Sequence, residues 1–189
     1  MDRSFVAATV ALLVVLVPVL RRCTWRTAAA LALVCATVTA VGPMTSWSLF
    51  WQGMVPGETP GTGLMGRVYG RSGTEARGLG GWILVLGVLG AASAFTLTRR
   101  RETVPSEEGR QLALLAAILL GLAALGSLWE YIDVESLPTL RDDEGMLIVR
   151  SATAGLELTL LASFAGTACA ARAYFRLRTR PVPPSPETP

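Results

Sequence analysis

The chain has 189 residues, 51% of them hydrophobic, and a formal charge of +3 in which all seventeen cations are arginines, with no lysine and no histidine. Without histidine there is no His-ligated haem, no histidine zinc site and no Ser-His-Asp triad. A chain of this length can form one soluble core, but the helices of such a domain carry polar faces, and the stretch 112–125 has no polar residue on any face.

Five runs are almost free of charge, and they are taken here in chain order. The first, 4–20, is near the lower limit for a membrane span. It is apolar like a signal-peptide core, but no small-x-small cleavage site follows; Arg21-Arg22-Cys23 comes instead. The expectation is a retained anchor. The second run begins at Thr27, and Gly42-Pro43 punctuates its apolar part. The predicted span is therefore 27–43. The third and fourth, 78–98 and 111–129, are uncharged, and the fifth, 151–171, is broken only by Glu157. A helix rises about 1.5 Å per residue, so roughly 20 residues cross a hydrocarbon core about 30 Å thick. The predicted fold class is all-α, a polytopic membrane helix bundle of about five transmembrane helices occupying 1–180.

The arginines give this bundle a direction. Arg21, Arg22 and Arg26 separate the first two runs; Arg99, Arg100, Arg101 and Arg110 separate the third and fourth; Arg172, Arg176, Arg178 and Arg180 follow the fifth. These eleven share one side of a five-span layout, and Arg3, Arg67, Arg71, Arg77, Arg141 and Arg150 share the other. Basic residues accumulate on the cytoplasmic side. The N-terminus is thus expected outside and the C-terminus in the cytoplasm. The lipid bilayer is the first partner, and arginine patches of this kind also contact anionic headgroups. The arginines track span ends and form no separate basic domain, so nucleic acid is not an expected partner.

Two loops are expected outside, 44–77 and 130–150. The first carries Trp47, Phe50 and Trp51, read as an interfacial aromatic cluster, and then a glycine-rich stretch read as irregular loop. Gly57, Gly61 and Gly63 do not make a phosphate loop, since no strand precedes them and no Gly-Lys-Ser/Thr follows. The second loop holds six acids, Glu130, Asp133, Glu135, Asp142, Asp143 and Glu144. Glu130, Asp133 and Glu135 are close enough to converge if the fourth helix runs on past the membrane, with Pro138 as its limit; 146–149 reads as a short strand or a helix start. Oxygen ligands of this kind suit a hard cation, but the spacing is not that of a twelve-residue calcium loop. A solvated acidic loop is the default, with the six acids as metal-ligand candidates. The tail 181–189 has five prolines and is expected to be disordered and cytoplasmic.

Glu157 is the one charge inside a predicted span and a functional candidate by position, with Arg150, Arg77 or the Thr153 hydroxyl as expected partners. The cysteines, Cys23, Cys35 and Cys169, fall in spans or at a cytoplasmic end. Structural thiols are expected, and no outer disulfide is available. Small pairs such as Gly87/Ala91, Gly90/Ala94, Ala117/Gly121 and Ala162/Gly166/Ala170 permit close helix approach.

The last four spans give a long outer loop, a short inner link, a shorter outer loop and an inner tail. That layout resembles the claudin-type four-helix proteins in topology alone. Trp47-Ser48-Leu49-Phe50-Trp51 departs from their Trp…Gly-Leu-Trp…Cys…Cys pattern, both loop cysteines are missing, and no family is assigned. No catalytic group and no cofactor is read from the sequence. The leading expectation is a non-catalytic integral membrane protein, an accessory or scaffold subunit, with a membrane-protein partner or its own copies as partner. The alternatives are a small transporter or channel using Glu157 and the acidic loop, and a membrane-embedded enzyme with a carboxylate metal site. Arginine-only, Ala/Val/Leu-rich usage suggests a high-GC genome and a bacterial cytoplasmic membrane.

Overall fold

The structure, a computed structural model, describes residues 3–53, 66–75, 79–99, 107–136, 139–141 and 147–179. Five long helices form: α1 (Arg3–Arg22), α2 (Trp25–Val41), α3 (Leu79–Arg99), α4 (Glu107–Ser136) and α5 (Ala154–Arg178). Four segments, Trp25–Met44, Leu79–Arg99, Glu107–Ser136 and Ala154–Arg178, are long and apolar enough to cross a membrane. The chain is a helical membrane bundle.

Helix boundaries follow local chemistry. Thr24 caps α2, its hydroxyl accepting the Thr27 N–H at 3.3 Å, which satisfies one of the amides a helix start leaves open. A 3-10 turn at Gly42–Met44 ends α2 where proline cannot continue it. Glu107 and Glu108 sit in the first turn of α4, and Arg176 and Arg178 in the last turn of α5; both placements favour the helix dipole.

Helix α4 packs between α3 and α5, and α2 between the same two on the opposite side, so α2 to α5 make a closed ring. Helix α1 lies outside it, against α5, and leaves Val14 67% exposed. The ring interior is filled with small side chains: Ala28, Ala29, Ala32, Ala36, Ala113 and Ala116 are all buried. A Cβ on Gly87 would come within 2.6 Å of the Ala40 nitrogen, and one on Gly166 within 3.0 Å of Cys35 Cβ. These glycines serve contacts between helices of this chain, which supply the packing that lipid does not drive.

The segments expected to be two outer loops differ from that expectation. Strands β1 (Ser46–Gly53), β2 (Gly66–Ser72), β3 (Thr139–Arg141) and β4 (Leu147–Ala152) form one antiparallel sheet in the order β2-β1-β4-β3. Each segment contributes a hairpin, and β1 zips to β4, with Phe50 opposite Arg150 and Gly53 opposite Leu147. Part of the glycine-rich stretch thus returns as β2. The backbone polar groups find partners across to the other hairpin, a pairing no local pattern announces. The reading of Trp47 as interfacial is also corrected. Trp47 is 1% exposed, packed with Ile83, Tyr131, Leu156 and Leu160, and its indole N–H donates to the Gly42 carbonyl at 2.9 Å. Among the described residues, Trp82 and Trp129 are the exposed aromatics at this end, each 69% exposed.

Candidate functional site

The sheet end gathers the polar residues that sequence singled out. Helix α4 has 30 residues, about 45 Å of helix against a core of about 30 Å. With Trp129 at interface depth, residues 130–136 rise beyond it toward the sheet. The helix is therefore longer than one span needs and stops at Ser136, two residues before Pro138.

The continuation does not make Glu130, Asp133 and Glu135 converge. Glu130 is 2% exposed, Asp133 is half-buried and Glu135 is exposed. Helical geometry turns successive positions by about 100°, so Glu130 and Glu135 point about 140° apart. Among the described residues no group of three His, Cys, Asp or Glu side chains is placed to hold a metal ion. Asp142, Asp143 and Glu144 lie outside the described residues.

Glu130 belongs to a different constellation, one the sequence reading missed. The buried positions of α4 run Ala113, Ala116, Leu120, Ala123, Ala124, Ser127, Glu130, Tyr131 and Val134, the period of one helix face. Glu130 therefore faces inward as a member of that stripe. Extending the stripe beyond the expected span end would have found it. A buried carboxylate is costly unless it has a partner, and Glu130, Asp133, Glu135 and Glu157 all engage other groups. One turn below, the buried Ser127 hydroxyl has no hydrogen-bond partner among the described residues.

Glu157 lies in the first turn of α5, half-buried, with its backbone N–H bonded to the Thr153 carbonyl at 3.2 Å. That turn carries the positive end of the helix dipole, which favours a carboxylate. Its depth is the sheet end and not the middle of the bundle. Thr153, one expected partner, directs its hydroxyl to the Ser46 carbonyl and so pins β1 to the start of α5. Arg77 and the Arg150 side chain lie outside the described positions.

Below Glu157, α5 carries hydroxyls at every fourth residue, Thr159, Ser163 and Thr167, and Ser163 meets Thr39 of α2 at 3.3 Å. Each hydroxyl donates to its own helix four residues back: Thr159 to Gly155, Ser163 to Thr159, Thr167 to Ser163 and Thr39 to Cys35. Such back-bonding satisfies the donor within one helix. It lets a polar seam be buried without water. Cys35 and Cys169 also meet across this α2–α5 seam as free thiols.

The opposite end is closed by arginine. Arg172 donates to the carbonyls of Leu20 at 2.9 Å and Arg21 at 3.2 Å, and Arg176 to that of Arg21 at 3.1 Å. Arg110 donates to the Leu177 carbonyl at 3.3 Å and pairs with Glu107 at 3.3 Å. Three carbonyls in the last turns of α1 and α5, those of Leu20, Arg21 and Leu177, which a helix end leaves open, are thus bonded by guanidinium groups.

Compared with protein-family models, curated proteins and solved structures, the chain matches none.

Proposed function

We propose that this chain is a non-catalytic subunit of a membrane complex, one that presents a rigid extracytoplasmic sheet to a partner. It is read as a protein of a bacterial cytoplasmic membrane. With α1 counted as a fifth span beside the four long apolar helices, the arginine asymmetry supports an N-terminus and sheet outside and an arginine end in the cytoplasm. The observation that carries this reading is the fixed attachment of the sheet. Trp47 is buried beneath it, and a Cβ on Gly73 would collide with that indole. Thr153 ties β1 to α5, and β2 and β3 each pair on one side only among the described residues. An edge strand held in register offers unpaired backbone groups to a partner strand.

The test is site-specific photo-crosslinking in cells. A photoreactive residue at Arg71, exposed on edge strand β2, should give one discrete adduct, while one at the exposed Leu122 should give none. Absence of adducts at Arg71, together with Glu157-dependent cation flux in proteoliposomes, would replace this reading with the transporter. Orientation is tested separately. Cys23, at the corner between α1 and α2, should react with an impermeant maleimide only after the cells are opened.

The transporter reading has one specific support, the hydroxyls Thr159, Ser163 and Thr167 descending from Glu157 on one helix. Against it, each is already committed to a carbonyl of α5. The enzyme reading requires the acidic loop to hold a metal, and Glu130, Asp133 and Glu135 do not converge to begin such a site.

A further inference from the structure

We propose that the cytoplasmic corner where α1 turns into α2 binds the phosphate of an anionic phospholipid in the adjacent leaflet. A cavity of about 200 Å³ opens there, lined by Arg22, Cys23, Thr24, Trp25, Arg176 and Thr179. Two of its six walls are guanidinium groups and none is an acid.

Both arginines have donors to give. Arg176 uses one terminal nitrogen on the Arg21 carbonyl, and a guanidinium carries five N–H donors. Arg22 makes no ion pair with any described carboxylate and stands exposed at the rim. Among the described residues, arginines outnumber acids around the corner. Eight described arginines (Arg21, Arg22, Arg26, Arg99, Arg110, Arg172, Arg176 and Arg178) share this end with only Glu107 and Glu108, and Glu107 is taken by Arg110. Arginine forks match phosphate oxygens, and charge-assisted hydrogen bonds of that kind are the strong ones.

Size and depth select the ligand. Sites for whole small molecules run from about 300 Å³ upward, so this cavity holds a phosphate group and not a nucleotide. Trp25 forms part of the wall at the start of a membrane-crossing segment, with most of its ring buried against α3, α4 and α5. Val17 and Val19 of α1 are exposed just inside it, where the acyl chains of a bound lipid would run. A free phosphate gains nothing from that apolar flank.

The proposal rests on the membrane reading and not on the crosslinked partner. Binding in detergent is also independent of which way the protein faces. The full chain in non-ionic detergent is titrated with phosphatidylglycerol and read by native mass spectrometry. Arg22→Gln should weaken phosphatidylglycerol binding about tenfold. Arg178→Gln, which removes the same charge from an exposed position outside the cavity, should change it less than about twofold. Arg176→Gln should weaken binding as well, with the melting temperature followed because Arg176 also holds the Arg21 carbonyl. In the unaltered protein, phosphatidylcholine should bind more weakly, and millimolar inorganic phosphate should not displace phosphatidylglycerol. Equal losses in Arg22→Gln and Arg178→Gln would reduce the effect to a diffuse basic surface and overturn the site. Equal binding of phosphatidylcholine would do the same, as would displacement by inorganic phosphate.

Discussion

The two ends of this bundle face the same problem and solve it with different chemistry. Helices that end at a membrane surface leave backbone carbonyls and amides without partners. At the arginine end, side chains supply them: Arg172 and Arg176 bond the last carbonyls of α1, and Arg110 that of Leu177. At the other end the backbone supplies itself, by running on from α2 and α4 into paired strands and locking the junction with Trp47. Charge suffices where links are short, as between Arg22 and Trp25. Where segments are long, cross-pairing and one buried indole are needed.

The contrast can be broken most severely at Trp47. Trp47→Ala should cost about 3–5 kcal/mol, as buried Trp truncations do, and lower the melting temperature in detergent while loosening the sheet to proteolysis. Trp47→Phe should keep an aromatic ring, lose the bond to Gly42 and part of the packing, and cost about 1–3 kcal/mol. Equal effects from the two variants would mean the hydrogen bond, not the packing, secures the cap. At the arginine end, Arg172→Gln should cost about 1–2 kcal/mol and leave the sheet protected. Lysine should rescue it only partly, because one ammonium does not reproduce the fork that reaches both Leu20 and Arg21 carbonyls. A full rescue would show that net charge alone closes this end.

Smaller still is Glu157→Gln, expected to cost about 1 kcal/mol because it removes a favourable charge from the first turn of α5 and weakens the contact that the carboxylate makes. Abolished function in a variant that still accumulates would instead make Glu157 the working group of a transporter. The weakest expected response is to calcium. With Glu130 turned inward and Glu135 outward, millimolar Ca²⁺ or chelator should leave the melting temperature unchanged. A rise with Ca²⁺ that disappears in Asp142→Asn/Asp143→Asn would reveal a metal site in the acidic loop.

The same contrast explains which parts were legible in the sequence. Uncharged runs report the bilayer directly, so the four membrane-crossing helices lie close to where those runs place them, and Gly42-Pro43 and Pro138 mark real ends. Span length read from charge stops short wherever a helix outlasts the membrane. For that reason α4 begins four residues earlier and ends seven later than the run 111–129, and Glu130 was read as a loop acid. The sheet was hidden for a different reason. Gly66–Ser72 holds two glycines and two arginines and has little strand character alone; it becomes a strand because β1 offers it an edge. Trp47 carried a misleading signal, since a tryptophan at a span end suits both an interface and a junction core.

The pairing of β1 with β4 also sets an order of assembly. Ser48 lies opposite Ala152, so roughly a hundred residues and two further helices separate the partners, a contact of high sequence separation that forms late. During synthesis the β1–β2 hairpin reaches its side of the membrane before α4 and α5 exist, with one edge open. Until β4 arrives that edge is a template for any extended chain nearby. A chain halted after α4 would therefore be a sticky intermediate, and the arrival of β4 is the step that covers that inner edge.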